Sequence, residues 1–162
     1  MLDLIKDALR DFDAIVFMGV RGSGKTTTAR AFAERREMVF VDAEESPDPS
    51  DDYAAYPNLL LINNLITQHA SNKETVALAC PALTEKQRSW LAEGELRMHY
   101  VLLEGDIETI EKRLGDNAPS NLQEDFQALE VPADAIRVDI RQHVESIMTN
   151  VDFQLIQASA HA

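Results

Sequence analysis

Between the apolar run Ala14-Ile15-Val16-Phe17-Met18 and the helix-forming stretch from Lys25 to Arg36 lies Gly19-Val20-Arg21-Gly22-Ser23-Gly24-Lys25-Thr26. No other segment restricts the fold as severely. Its glycines let the backbone turn sharply and leave successive amides uncovered, and the spacing G-x-x-x-x-G-K-[ST] is that of a phosphate-binding loop. Inward-facing N–H groups and the positive end of the helix dipole that starts near Lys25 favour a polyanion there. Lys25 adds a point charge, and Thr26 offers a hydroxyl to an octahedral cation. The expected ligand is ATP with Mg²⁺, held by Gly19, Arg21, Gly22, Ser23, Gly24, Lys25, Thr26 and Thr27, with Thr26 as the metal ligand. Arg21 either reaches a phosphate or lies in solvent.

Downstream, apolar runs alternate with helical patterns. Strands are expected at Met38 to Val41, Thr75 to Cys80, His99 to Leu103 and Ala135 to Ile140. Helices are expected at Tyr56 to His69, Glu85 to Glu93, Ile107 to Leu114 and Leu122 to Leu129, with another at the end of the chain. Strands apolar on both faces and separated by helices imply a parallel sheet covered on each side. The expected fold is therefore α/β, a P-loop NTPase three-layer α/β/α sandwich on a five-stranded parallel sheet. At 162 residues it reads as one domain, 1–162, with a short amphipathic helix over 2–10 and a loop over 115–120.

Charge narrows the partners. With 15 Lys+Arg against 28 Asp+Glu the formal net charge is -13, which repels nucleic acid, while a small pocket of amides, one lysine and Mg²⁺ still accepts ATP. Cys80 is the single cysteine, so no intrachain disulfide forms and a cytoplasmic location is the default. No stretch approaches membrane-spanning length, no membrane partner is expected, and self-association as a homodimer stays open.

The run from Phe17 to Thr26 resembles the first motif of gluconokinases, small P-loop kinases of the shikimate and gluconate kinase group that phosphorylate gluconate on its terminal hydroxyl. Cys80-Pro81-Ala82-Leu83 with Arg88 is similar to that family's C-S-A-L block and downstream arginine. Tyr100 to Gly105 and Asp106 to Leu114 continue the likeness. Phe126-Gln127-Ala128-Leu129-Glu130-Val131-Pro132 and Val138-Asp139-Ile140 resemble its Q-F-x-T-L-E-x-P and V-D-I segments. Departures accompany it. Asp42 and Glu44 keep two carboxylates of a D-x-D strand end, but the following His-Pro pair is missing. Thr84 and Ala92 replace basic residues, Asp125 replaces a glutamine, and the lid R-K-G-H-F is reduced to Gly115-Asp116-Asn117-Ala118.

The resemblance implies phosphoryl transfer from ATP to the hydroxyl of a small metabolite, a sugar acid such as gluconate first. Asp42 sits at the carboxyl end of a strand, where open α/β sheets place ligands; it orients an acceptor hydroxyl or a Mg²⁺-bound water, or else caps a turn. Glu44 is a second substrate-side carboxylate. Arg88 either holds an anionic substrate or is a solvated helix residue, and Arg113 either contacts phosphate or complements the end of its helix. Lys25, Asp42 and Arg113 are the candidate catalytic set. The rival expectation is a degenerate relative that binds nucleotide as a sensor or partner-binding module and transfers nothing.

Overall fold

The computed structural model describes residues 2–43, 48–119 and 121–160. In chain order the elements are α1 (Leu2–Leu9), β1 (Ala14–Met18), α2 (Lys25–Arg36), β2 (Val39–Asp42), α3 (Asp52–Ser71), β3 (Val76–Ala79), α4 (Glu85–Leu91), β4 (Met98–Glu104), α5 (Ile107–Leu114), a 3-10 turn (Gly115–Asn117), α6 (Leu122–Ala128), β5 (Ile136–Asp139) and α7 (Val144–Ala160). All strands are parallel, in the order β2-β3-β1-β4-β5. Because β1 lies between β3 and β4, the chain leaves its carboxyl end where the sheet order reverses, which opens a crevice there.

Alternation along β1 divides two cores. Ile15 and Phe17 join Phe32, Val101, Leu103, Met148 and Leu155 on the α1, α2 and α7 face. Ala14, Val16 and Met18 join Leu59, Ile66, Leu78 and Leu91 on the α3 and α4 face. Every β1 side chain is therefore buried, as a central parallel strand requires. Phe17 meets Phe32 at 5.4 Å in a tilted pair, worth about 1 kcal/mol beyond the area each removes from water. The outer strands differ from the buried reading of the sequence. β2 is only partly covered, and Arg137 of β5 is exposed between buried Ile136 and Val138, because each strand closes one edge of the sheet.

Helix α3 starts earlier than expected. Asp51 caps it, accepting from Tyr53 and Ala54 amides, and Pro57 is carried inside it. Tyr53, whose carbonyl loses its helical donor to that proline, is 76% exposed, so water can replace the missing bond. Among the described residues no helix is long and apolar enough to cross a membrane.

One buried titratable group couples this packing to pH. His99 lies against Phe12 at 5.3 Å, and burial lowers its pKa from the ordinary 6.5. The unfolded chain then binds more protons than the native one just below pH 6.5, so stability rises with pH through that window. Thermal melts between pH 8 and pH 5 are expected to show full His99-linked stability above 6.5 and progressive loss below it. The His99→Leu variant is expected to flatten that part of the profile.

Candidate active site

The phosphate loop leaves β1 at Gly19, whose φ of 149° is open to glycine alone. A Cβ there would stand 3.0 Å from the Leu103 carbonyl oxygen and 2.8 Å from Ser23 Oγ, so the backbone passes closer to β4 than any side chain permits. Gly24, left-handed at φ 93°, ends the loop and starts α2 without a side-chain cap. The first amides of α2 are therefore left open to a ligand.

Within the loop, Lys25 is 1% exposed and its Nζ donates to the Val20 carbonyl at 2.9 Å. Ser23 Oγ is buried and finds no hydrogen-bond partner among the described residues. A buried hydroxyl without a partner costs free energy unless an acceptor reaches it, and a phosphate oxygen supplies one. Thr26 Oγ1 donates to Asp42 Oδ2 at 3.3 Å, which brings the carboxyl end of β2 against the first turn of α2. A glycine-cradled backbone, a buried ammonium, an orphaned hydroxyl and a Thr–Asp pair together fit a triphosphate with its divalent cation.

Arg21 follows neither path expected of it. Its Nε and Nη2 each donate at 2.8 Å to Asp125, one to each carboxylate oxygen, and its backbone N–H adds a third bond at 3.2 Å. Asp125 is fully buried in α6, and its acceptance holds the guanidinium pKa above the ordinary value. The crest of the loop is thus clamped to α6. Gly22 rests against α5, where a Cβ would meet the Leu114 side chain at 2.6 Å.

Arg88 is also placed otherwise than expected. It is buried, donating from Nη1 to the Ala82 and Leu83 carbonyls at 2.8 and 3.2 Å, with its guanidinium 5.8 Å from the Tyr100 ring. It is not the solvated helix residue that one sequence reading offered. Burial lowers its pKa and raises that of Tyr100. Its bond helps fix Ala82, a buried non-glycine residue at φ 46°, in the turn after β3.

Arg113 stands beside the start of α2. It donates to the Ile140 carbonyl, and its Nη1 lies 4.0 Å from the point where a side chain on Gly24 would begin. With Thr27, Thr28, Ile140, Gln142 and Val144 it borders a cavity of about 220 Å³ beside the start of α2. Gln142 and Val144 escape the sequence reading, and Ile140 was read only as the end of a strand and part of the Val138-Asp139-Ile140 likeness, not as a site residue. Glu44 lies outside the described residues, and the shortened lid, as far as Pro119, carries no cation.

At the other end of the crevice, Thr84 opens α4 as a cap, accepting from the Gln87 amide, and donates to Asp52 at 2.7 Å. Gln87 Nε2 donates to the same Asp52 oxygen at 3.0 Å and to the Pro49 carbonyl at 2.8 Å. Where the resembled family places a basic residue, this chain builds an internal polar network. The Thr84-x-x-Gln87 spacing of a capping box was its one legible signal, although Gln87 Oε1 accepts from the Leu83 amide rather than from that of Thr84.

A five-stranded parallel sheet in this order, with a phosphate loop after its central strand, is the fold of the P-loop kinases. A shikimate kinase structure from Acinetobacter baumannii shares it, with a TM-score of 0.64 over 94% of this chain and 97% of its own, at 20% identity. Gluconokinases, more particularly, are homologues of this chain over most of its length. The thermosensitive gluconokinase of Escherichia coli K12 is 28% identical over 155 residues, covering 83% of each chain. A gluconokinase structure from Sinorhizobium meliloti 1021 is 25% identical, with a TM-score of 0.77 over 91% of this chain and 94% of its own. No family model matches the chain.

Proposed function

We propose that this protein transfers the γ-phosphoryl group of ATP to a hydroxyl of a sugar acid, gluconate being the first candidate. The observation that carries the reading is the contact of Thr26 with Asp42 beside buried Lys25, which joins the phosphate loop to a carboxylate at the carboxyl end of the sheet. Similarity to gluconokinases supplies the acceptor class.

In this reading the amides of Gly22 to Thr26 and the Lys25 ammonium hold the β- and γ-phosphates, and Ser23 Oγ donates to a phosphate oxygen. Thr26 is the residue that would hold Mg²⁺, which when bound neutralises developing phosphate charge. The base enters the cavity bordered by Thr28, Arg113 and Ile140, whose apolar wall and guanidinium suit a flat heterocycle. Asp42 accepts the proton of the acceptor hydroxyl as its oxygen bonds to the γ-phosphorus. The bond from that phosphorus to the bridging oxygen breaks, leaving ADP and a phosphate monoester.

ADP formation with Mg-ATP over a panel of sugar acids and polyols tests the assignment. Gluconate or a related acid is expected to stimulate turnover, and Asp42→Asn is expected to lower kcat about 10²- to 10⁴-fold with little change in nucleotide affinity. Absence of acceptor-dependent turnover would overturn the proposal. The second reading, nucleotide binding without transfer, is favoured by the cation-free lid and by Arg21 being engaged at Asp125. A missing transition-state arginine costs ~10³-fold or more, about 4 kcal/mol. Under that reading ATP binds and no acceptor is phosphorylated.

A further inference from the structure

Two adjoining cavities lie at the amino-terminal edge of the sheet, opposite the phosphate loop. One, of about 420 Å³, opens between the segment that enters β1 and the turn that follows α3. The other, of about 280 Å³, continues toward the start of β2. Arg10, Lys73, Glu74 and Thr75 border both, so the two form one trough. Its floor is fixed. Thr75 Oγ1 lies 2.8 Å from the Leu9 and the Phe12 carbonyl oxygens alike, which ties the start of β3 to the chain ahead of β1. The five residues of β1 set trough and phosphate loop roughly 17 Å apart.

Charge in the trough runs against that of the molecule. Five cations border it with three carboxylates, in a chain whose formal net charge is -13. Each carboxylate already has a partner. Asp13 accepts from the Arg97 guanidinium at 3.2 Å and from its backbone N–H at 2.7 Å, Glu37 pairs with Lys6 at 2.7 Å, and Glu74 lies 3.1 Å from His69 Nδ1. Arg36 is engaged at Asp152 of α7. Arg10 and Lys73 are left over, and these are the two cations that border both cavities. Among the described residues the Arg10 guanidinium approaches Asp7 alone, at 3.4 Å and well exposed, and the Lys73 ammonium has no hydrogen-bond or ion-pair partner.

Lys73 is also held in an unfavourable backbone conformation. Its N–H donates to the Ala70 carbonyl at 2.9 Å and that of Glu74 to the His69 carbonyl at 3.0 Å, the pair of bonds that ends a helix through a left-handed residue. Glycine is the usual occupant of that place, yet Lys73 stands there at φ 60°. A lysine kept where glycine fits better points to a use for its side chain. A phosphate group between Arg10 and Lys73 receives charge-assisted hydrogen bonds from both. The remaining lone pairs of Asp13 and Glu74 accept from hydroxyls, and Phe12 and Ala70 give the larger cavity an apolar wall. Its volume falls in the range of small-molecule sites and exceeds the needs of a bare phosphate.

We infer that the trough binds a phosphate monoester with a hydroxylated carbon body, the phosphate held by Arg10 and Lys73. The inference is independent of the nucleotide site and of phosphoryl transfer. Amide NMR spectra of the native protein titrated with glucose 6-phosphate are expected to show saturable shifts over residues 9–13 and 72–75, with half-saturation below about 1 mM and weakening as salt is raised. The same shifts are expected in Lys25→Ala, whose phosphate loop is disabled. Inorganic phosphate is expected to bind the trough about fivefold more weakly or worse, because it leaves Asp13 and Glu74 unused. Lys73→Gly suits the left-handed turn, so it is expected to melt no lower than the native chain, to weaken glucose 6-phosphate about tenfold and to leave Mg-ATP affinity unchanged. Arg10→Gln is expected to weaken glucose 6-phosphate similarly. Shifts confined to the phosphate loop overturn the inference, as does a failure to saturate by about 20 mM. So does equal affinity for inorganic phosphate, or an affinity unmoved in Lys73→Gly.

Discussion

Replacing Lys25 with alanine is expected to weaken Mg-ATP binding about 100-fold and to lower any phosphoryl transfer by a further ~10³-fold or more. The lysine is 1% exposed at the centre of the phosphate loop, beside an orphaned Ser23 hydroxyl. An ammonium already removed from bulk water interacts with phosphate at a lower effective dielectric than a surface lysine does, so its loss is felt in full. Isothermal titration measures the first effect, and ADP release with the best acceptor measures the second. An affinity unchanged in Lys25→Ala would place the nucleotide elsewhere.

The next largest effect is expected at Asp125. Truncating it to alanine leaves the Arg21 guanidinium, whose side chain is 24% exposed, facing a site built for a carboxylate. Breaking a buried pair costs about 3–5 kcal/mol, and the partial exposure of Arg21 places this one near the lower end. For a chain of this size that lowers the melting temperature by about 10 °C. Mg-ATP affinity is expected to fall as well, because the same carboxylate also accepts the Arg21 backbone N–H and so fixes the loop itself. Arg21→Ala alone is expected to destabilise similarly, and the double variant to lose clearly less than the sum of the two. Calorimetric melting of all four forms measures the coupling, and simple additivity would show that the pair does not brace the loop.

That pair also marks where legibility in the sequence ended. An unbroken apolar run located β1, helix-forming residues located α2, helical patterning located α5, and the glycines located the loop, because these features are local. The α/β/α sandwich on five parallel strands followed from the alternation of strand and helix. Asp125 lies 104 residues from Arg21, so the sequence offered solvent or phosphate as destinations for a cation whose partner it could not reveal. The burial of Arg88 was hidden for a related reason: its acceptors are backbone carbonyls, which no side-chain pattern encodes. Pro57 hid the first turn of α3, where the cap at Asp51 and exposure at Tyr53 outweigh the missing donor. Asp42 was singled out for its place at a strand end. Its approach to Thr26 depends on how β2, on the sheet edge, and α2 pack, and only the folded chain shows that.

The most direct measurement is titration calorimetry of the native protein with ATP, with and without magnesium. The account predicts saturable binding at micromolar concentrations, one nucleotide per chain, strengthened by magnesium and weakened in Lys25→Ala. No heat at millimolar ATP with magnesium present would contradict it, because the amide nest, the buried ammonium and the Thr26–Asp42 pair would then have no ligand to serve.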